Sequence, residues 1–166
     1  MKTAFIALGS NIGDSENIIR CAMARLTDFS TEPLLTSSLW QTTPVDCPPG
    51  SPPFVNAAVG LAPRAGETPE SLLEKLQQLE KDFGRKAKLV MNEPRPLDLD
   101  LVSFGQETLA TAWLTLPHPR AAQRRFVLQP LAEIASDLIL PGQTASIATL
   151  LAALDDDERL LRLGNW

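Results

Sequence analysis

No tyrosine occurs in the 166 residues, there is one histidine, and cysteine appears only at positions 21 and 47. Each scarcity closes off a class of function. Cys21 falls in a helical pattern and Cys47 in a proline-rich loop, a spacing that matches neither metal nor redox motifs, so each reads as a small buried hydrophobe or an idle thiol. No apolar run approaches the ~20 residues needed to cross a bilayer. The stretch Thr3 to Leu8, ended by Gly9-Ser10-Asn11, is too short for a signal peptide. A cytosolic, reduced protein is expected. Positive charge is also short: 15 Lys and Arg against 20 Asp and Glu give a net charge of -5. That balance argues against unspecific binding to nucleic acid or acidic membranes. The chain also lacks the basic, aromatic-studded sheet motif of nucleic-acid-binding domains. What is present, 44% hydrophobic and 21% charged residues, fits one globular domain spanning residues 1–166.

The most informative segment is Arg95-Pro96-Leu97-Asp98-Leu99-Asp100-Leu101-Val102. Leucine alternates with aspartate, the period-two signature of a half-buried strand. Residues i and i+2 share a strand face roughly 7 Å apart, so both carboxylates project opposite the leucines. Two such carboxylates repel, and a cation between them relieves the repulsion. With no Cys or His beside them in sequence, the fitting cation is the hard Mg²⁺, which takes oxygen ligands and shares them with phosphates. Arg95 is placed to meet the anion such a metal carries. The plainer alternative is an edge strand with a solvated outer face. Arg85, Lys86, Lys88, Arg95, Arg120, Arg124 and Arg125 make up seven of the 15 basic residues, in two stretches flanking the aspartates. Cations gathered around an acid pair suit a small polyanion with its metal.

Around this segment the chain reads as alternating elements. Met1 to Leu8 predicts a buried strand and residues 9–14 a turn, with Asp14 or Ser15 capping a helix that buries Ile18, Ile19, Ala22, Leu26 and Phe29. Thr31 to Thr42 predicts a second strand, Phe54 to Leu61 a third. Between them, Pro44 to Pro53 holds five prolines and a glycine, an exposed loop. Thr68-Pro69-Glu70 starts a second helix, with Leu72, Leu73, Leu76, Leu79 and Phe83 inward and Gly84 as its stop. Residues 85–94 show no periodicity and read as a polar loop. Leu116-Pro117-His118-Pro119 reads as a rigid turn, Val127 to Ser136 as a short helix and Ile147 to Leu154 as a terminal one. The order predicts an α+β, ferredoxin-like sandwich: a four-stranded antiparallel sheet, both main helices on one face, the other face open, and extra C-terminal elements.

Four ordered motifs carry a family resemblance: Ala7-Leu8-Gly9-Ser10-Asn11-Ile12-Gly13-Asp14, Phe54-Val55-Asn56-Ala57-Ala58-Val59, Arg95-Pro96-Leu97-Asp98-Leu99-Asp100, and Leu116-Pro117-His118 through Arg124-Arg125-Phe126. Together they resemble the 6-hydroxymethyl-7,8-dihydropterin pyrophosphokinases of folate synthesis over nearly the whole chain. The resemblance implies transfer of pyrophosphate from ATP to the pterin hydroxymethyl group, release of AMP, and two Mg²⁺ ions. By position it implies that Asp98 and Asp100 hold both metals, and that Arg95 and Arg85 act on the transferring phosphates. ATP would meet Gln77, Glu80, Arg95, Leu101, His118 and Arg124. The pterin would be sandwiched by Phe54 and Phe126, read by Asn56, and met by backbone groups of Thr43 and Val45. Stacking of a flat heteroaromatic between two rings is worth on the order of 1 kcal/mol per pair. Partners would be these small molecules alone, with no nucleic acid or membrane, and the protein a monomer.

Departures from the family pattern cluster at Ala87, Met91, Asn92 and Glu93, where many members carry an arginine, a basic residue, a tryptophan and a small residue in turn. Two readings follow. One is a working pyrophosphokinase with an altered loop; the other is a low-activity paralogue that serves as a pterin- or nucleotide-binding module.

Overall fold

Alternating side chains decide which way the central sheet faces. Ala4, Ile6 and Leu8 of β1 (Ala4–Ser10) enter one apolar core with Val55, Ala57, Val59 and Leu61 of β4 (Phe54–Leu61) and Leu99 and Leu101 of β5 (Asp98–Phe104). Two amphipathic helices close that core: α1 (Ser15–Leu26) through Ile19, Ala22, Met23 and Leu26, and α2 (Pro69–Asp82) through Leu72, Leu76 and Leu79. Their ends lie where local chemistry puts them. The Asp14 carboxylate accepts the Asn17 N–H at 3.4 Å and caps α1. Thr68 and Ser71 form a reciprocal capping box ahead of α2, with Pro69 at its first position. Gly84, at φ 92, takes the left-handed turn that ends it. The computed structural model describes residues 2–42, 50, 52–84, 96–155 and 158–165.

The sheet runs β5-β1-β4-β3-β8, with β3 at Leu39–Thr42 and β8 at Leu161–Gly164, all neighbours antiparallel, and β2 (Leu35–Thr36) also pairs with β4. Each main helix crosses over one intervening strand, an order compatible with the ferredoxin-like arrangement. The strand expected over 31–42 is split into β2 and β3 (Leu39–Thr42). Two serines cause the break. The Ala58 N–H donates to Ser37 Oγ at 2.8 Å rather than to a backbone carbonyl, and the Ser38 N–H leaves the ladder for Glu133 Oε1 at 3.1 Å. β8 (Leu161–Gly164) adds a strand beyond β3, and β6 (Leu109–Ala110) forms a small separate hairpin with β7 (Thr115–Leu116).

The opposite face is not left open across its breadth. Helices α3 (Arg125–Ala135) and α4 (Ile147–Ala153) cover part of it, packing Val127, Leu128, Leu131 and Ile147 against Phe5, Ala58 and Val102. This is why β4 is buried almost continuously instead of alternating. α3 begins two residues earlier than its apolar period suggested and contains Pro130, whose missing N–H leaves the Phe126 carbonyl outside the helical ladder. Glu133 fastens α3 to β3. Its carboxylate accepts the Ser38 N–H, the Ser38 hydroxyl at 2.7 Å and the Trp40 indole N–H at 2.6 Å. What remains uncovered is the end of the sheet that carries the aspartates. Among the described residues, no helix is long and apolar enough to cross a membrane, and Cys21 is exposed.

Leu76 is fully buried between α2 and the sheet. Leu76→Ala is expected to cost about 2–5 kcal/mol of stability, read from urea midpoints. An unchanged midpoint would contradict this placement of the core.

Candidate active site

Strand register assembles the site. Antiparallel neighbours directly opposite one another point to the same face. Gly9 pairs with Asp98 on one side and Asn56 on the other, and Asn56 pairs with Trp40. Asp98, Gly9, Asn56 and Trp40 therefore form one row across four strands. At about 4.8 Å per strand, Asp98 and Asn56 stand roughly 10 Å apart. Asp100, opposite Ala7, sits one step further along the same face of β5. Both aspartates are half-buried, while Leu97, Leu99 and Leu101 point into the core, as the alternation predicted.

Gly9 keeps the middle of this row low. A Cβ there would meet Asn56 Oδ1 at 3.3 Å and the Phe54 ring at 3.8 Å. Asn56, 4% exposed, donates its Nδ2 hydrogen to Thr42 Oγ1 at 3.1 Å. That bond fixes the amide, and Oδ1 lies on the Gly9 side as an acceptor. Thr42 is thus a functional candidate that sequence reasoning missed; its only signal was its place at the end of a Thr-rich strand. Phe54 begins β4 on the same face, and Phe126 lies in the first turn of α3, which packs on β4 and β3. The Arg124 guanidinium lies 5.4 Å from the Phe126 ring centre, a cation beside that aromatic ring.

His118 joins the row to the basic turn. Its backbone N–H donates to the Val102 carbonyl at 2.8 Å, and its Nδ1 accepts the Arg120 N–H at 3.2 Å. The ring hydrogen is therefore on Nε2 when the imidazole is neutral. Burial, then the neighbouring Arg124 and Arg120, lower its pKa from the ordinary 6.5, with Asp98 pulling the other way. His118, Arg120, Arg124 and Asp98 are consequently electrostatic neighbours. The sign of the pH effect follows. The unfolded chain binds more protons than the ligand-free folded one between the lowered value and 6.5, so stability falls as pH drops through that window and is flat above it. Urea midpoints above and below pH 6.5 are expected to show this loss, and His118→Gln to remove part of it. An acid loss unchanged in the variant would assign it to other groups.

Beside the row lies a cleft of about 290 Å³ whose lining includes Leu73, Asp100, Leu101, Trp113, Leu114 and His118. Of the positions expected near ATP, Leu101 and His118 line it. Gln77 is exposed on α2 and is not part of the lining, and neither is Glu80. Glu80 instead accepts the Leu99 N–H at 2.8 Å, satisfying an outward donor of edge strand β5 between the two aspartates. Arg85, Arg95, Thr43 and Val45 lie outside the described residues, as do Ala87, Met91, Asn92 and Glu93.

No cluster of three or more Asp, Glu, His or Cys with metal-binding geometry exists among the described residues. The donor set still suits one kind of metal. Two half-buried carboxylates on one strand face fit a hard cation that completes its shell with phosphate oxygens and water. Soft ligands are absent from the row.

These features define a class: an α+β sandwich whose uncovered sheet end holds a carboxylate pair, an oriented amide and two phenylalanines, with a basic turn beside them. Such a surface suits a metal-bearing polyanion next to a flat ring. Comparison with known proteins narrows the class. The model of the 7,8-dihydro-6-hydroxymethylpterin-pyrophosphokinase family, HPPK, matches residues 5–136, and the chain belongs to that family. It is 36% identical over 164 residues to the 2-amino-4-hydroxy-6-hydroxymethyldihydropteridine pyrophosphokinase of Haemophilus influenzae, covering 98% of this chain and 99% of that protein. It is 42% identical over 132 residues to the Bacillus subtilis protein of the same name, covering 79% and 77%. It is 34% identical over 157 residues to the folic acid synthesis protein fol1 of Pneumocystis carinii, covering 95% of this chain but only 21% of that protein. A crystal structure of an HPPK-DHPS in complex with substrates aligns with a TM-score of 0.71 at 12% identity, over 92% of this chain and 43% of that one, a likeness of fold.

Proposed function

We propose that the chain transfers the β,γ-diphosphate of ATP to the hydroxymethyl oxygen of 6-hydroxymethyl-7,8-dihydropterin, releasing AMP, in folate synthesis. The observation that carries this reading is the row Asp98–Gly9–Asn56, which sets an amide and a carboxylate pair on one sheet face on either side of a glycine. In this reading the pterin ring lies over Gly9 between Phe54 and Phe126, its amide edge on Asn56. The hydroxymethyl group then points along the row toward Asp98. Its oxygen attacks the β-phosphorus and gives up its proton to solvent, the bond from that phosphorus to the α-phosphate oxygen breaks, and AMP departs with that electron pair. Asp98 and Asp100 would hold two Mg²⁺ ions, which when bound neutralise charge on the triphosphate and orient its oxygens for in-line displacement.

The remaining residues bind and orient. Neutral His118 offers its Nε2 hydrogen to a phosphate oxygen without first losing a proton. Arg124 supplies a planar fork of donors suited to phosphate while its guanidinium stays beside Phe126. Glu80 keeps the edge strand straight at Leu99, so the two carboxylates keep a common face. Arg95 and Arg85 belong to the phosphate-binding set in the same reading. The enzyme would act as a cytoplasmic monomer on these two small molecules. Nucleotide analysis after incubation with ATP, Mg²⁺ and hydroxymethyldihydropterin tests the reading. AMP is the expected product; ADP would mark an ordinary kinase, and unconsumed ATP a binding module.

A further inference from the structure

Glu133 is an exposed residue of α3 that none of the chemistry above uses, yet three donors converge on its carboxylate. Oε1 accepts the Ser38 N–H at 3.1 Å and the Trp40 indole N–H at 2.6 Å, and Oε2 accepts the Ser38 hydroxyl at 2.7 Å. The Ser38 oxygen in turn accepts the Arg162 Nε hydrogen from β8 at 2.9 Å and lies 3.0 Å from Asn165 Oδ1. The strand on which these donors stand leads to Thr42, whose Oγ1 holds the Asn56 amide at 3.1 Å. The helix that sends the carboxylate carries Phe126 seven residues earlier. That spacing puts Phe126 and Glu133 on one helix face, about 10 Å apart along the axis. One carboxylate thus joins the element bearing an aromatic ring of the site to the element that orients its amide.

The rest of α3 holds its distance from the sheet better than its rotation. Val127, Leu128 and Leu131 pin it by apolar burial, which is non-directional. Its first turn has no side-chain cap, and Pro130 leaves the Phe126 carbonyl outside the helical ladder. Hydrogen bonds are directional, so three on one carboxylate fix roll and slide together. Resting on the pterin-binding reading above, we propose that Glu133 is a positioning residue for the pterin. It locks the helix that carries Phe126 to the strand whose Thr42 orients Asn56, and so keeps the aromatic wall and the amide at one spacing. Glu133 itself touches neither substrate. Asp98 and Asp100 stand on β5, three strands along the sheet from β3, so the effect falls on the pterin.

The test follows binding of hydroxymethylpterin through its own fluorescence, in the presence of the magnesium complex of α,β-methylene-ATP, which cannot release AMP. Binding of that nucleotide alone is read by calorimetry, and urea midpoints check that each variant is folded. Glu133→Ala is expected to bind the pterin about tenfold more weakly, with nucleotide affinity near that of the wild type. Glu133→Gln should recover most of the pterin affinity. Its oxygen still accepts the Ser38 and Trp40 hydrogens, and the Ser38 hydroxyl turns to Asn165 Oδ1. Trp40→Phe deletes one bond and keeps a ring, and should show the same selective loss at smaller size. Unchanged pterin affinity in Glu133→Ala, or in Trp40→Phe where the alanine variant is unfolded, would overturn the proposal alone. A glutamine variant as weak as alanine would also overturn it, by assigning the effect to charge instead of bonding. Equal loss for pterin and nucleotide would do the same, by making Glu133 a general support of the fold. A wild type that binds no pterin would remove the pterin-binding reading, and this proposal with it.

Discussion

Asp98→Ala and Asp100→Ala each lower AMP formation by about a thousandfold or more while leaving the folded protein intact. The size follows from what a carboxylate ligand contributes. Losing several kcal/mol of charge stabilisation on a transferring phosphate corresponds to about three decades in rate at 1.36 kcal/mol per decade. Stability survives because neither carboxyl group contributes to a core. Both are half-buried, the leucines on either side fill the apolar interior, and backbone pairing with β1 does not involve the side chain. The Glu80 bond to the Leu99 N–H also stays. Asp98→Asn separates charge from shape, since the amide keeps the volume and loses the anion. Steady-state AMP formation beside a thermal unfolding scan reads both quantities. Activity retained in Asp98→Asn would remove the metal-holding role.

Asn56→Ala raises the KM for the pterin by roughly a hundredfold and leaves the KM for ATP near that of the wild type. A site built to hydrogen-bond an amide edge loses far more than contact area when the bonding group is removed. Asn56 is 4% exposed, and its partner Thr42 is equally buried, so truncation also strands the Thr42 hydroxyl. Thr42→Val tests the orienting bond separately: the amide remains but is free to rotate, and a smaller rise in the same KM is expected. A parallel rise in the KM for ATP would show that Asn56 supports the whole sheet end rather than one substrate.

Much of this arrangement is legible in the chain because it rests on short-range chemistry. The strand Phe54–Leu61 has the bounds its sequence suggests, and α2 starts and stops at Thr68 and Gly84. The Leu-Asp alternation alone gives the common face of Asp98 and Asp100. What the chain hides depends on partners far away in sequence. The break at Ser37 and Ser38 exists because their side chains and amides pair with Ala58 and with Glu133, 95 residues on from Ser38. Strand β8 is four residues long and pairs with β3 from the far end of the chain. The cover of α3 and α4 on the second sheet face was missed for the same reason: their apolar stripes announce a helix, not which surface it meets. Thr42 and Gly9 matter through cross-strand register, which no local pattern states. Glu80 and Gln77 share a polar helix face, yet only Glu80 meets an edge-strand donor between the aspartates.

A crystal of the ternary complex with α,β-methylene-ATP, hydroxymethylpterin and Mn²⁺ in place of Mg²⁺ tests the account most directly. Anomalous scattering is expected to show manganese at Asp98 and Asp100, two ions in the proposed reading, with the pterin ring between Phe54 and Phe126 and its amide edge on Asn56. Manganese bound elsewhere, or a ring lying away from Gly9 with both carboxylates turned from the triphosphate, would contradict it.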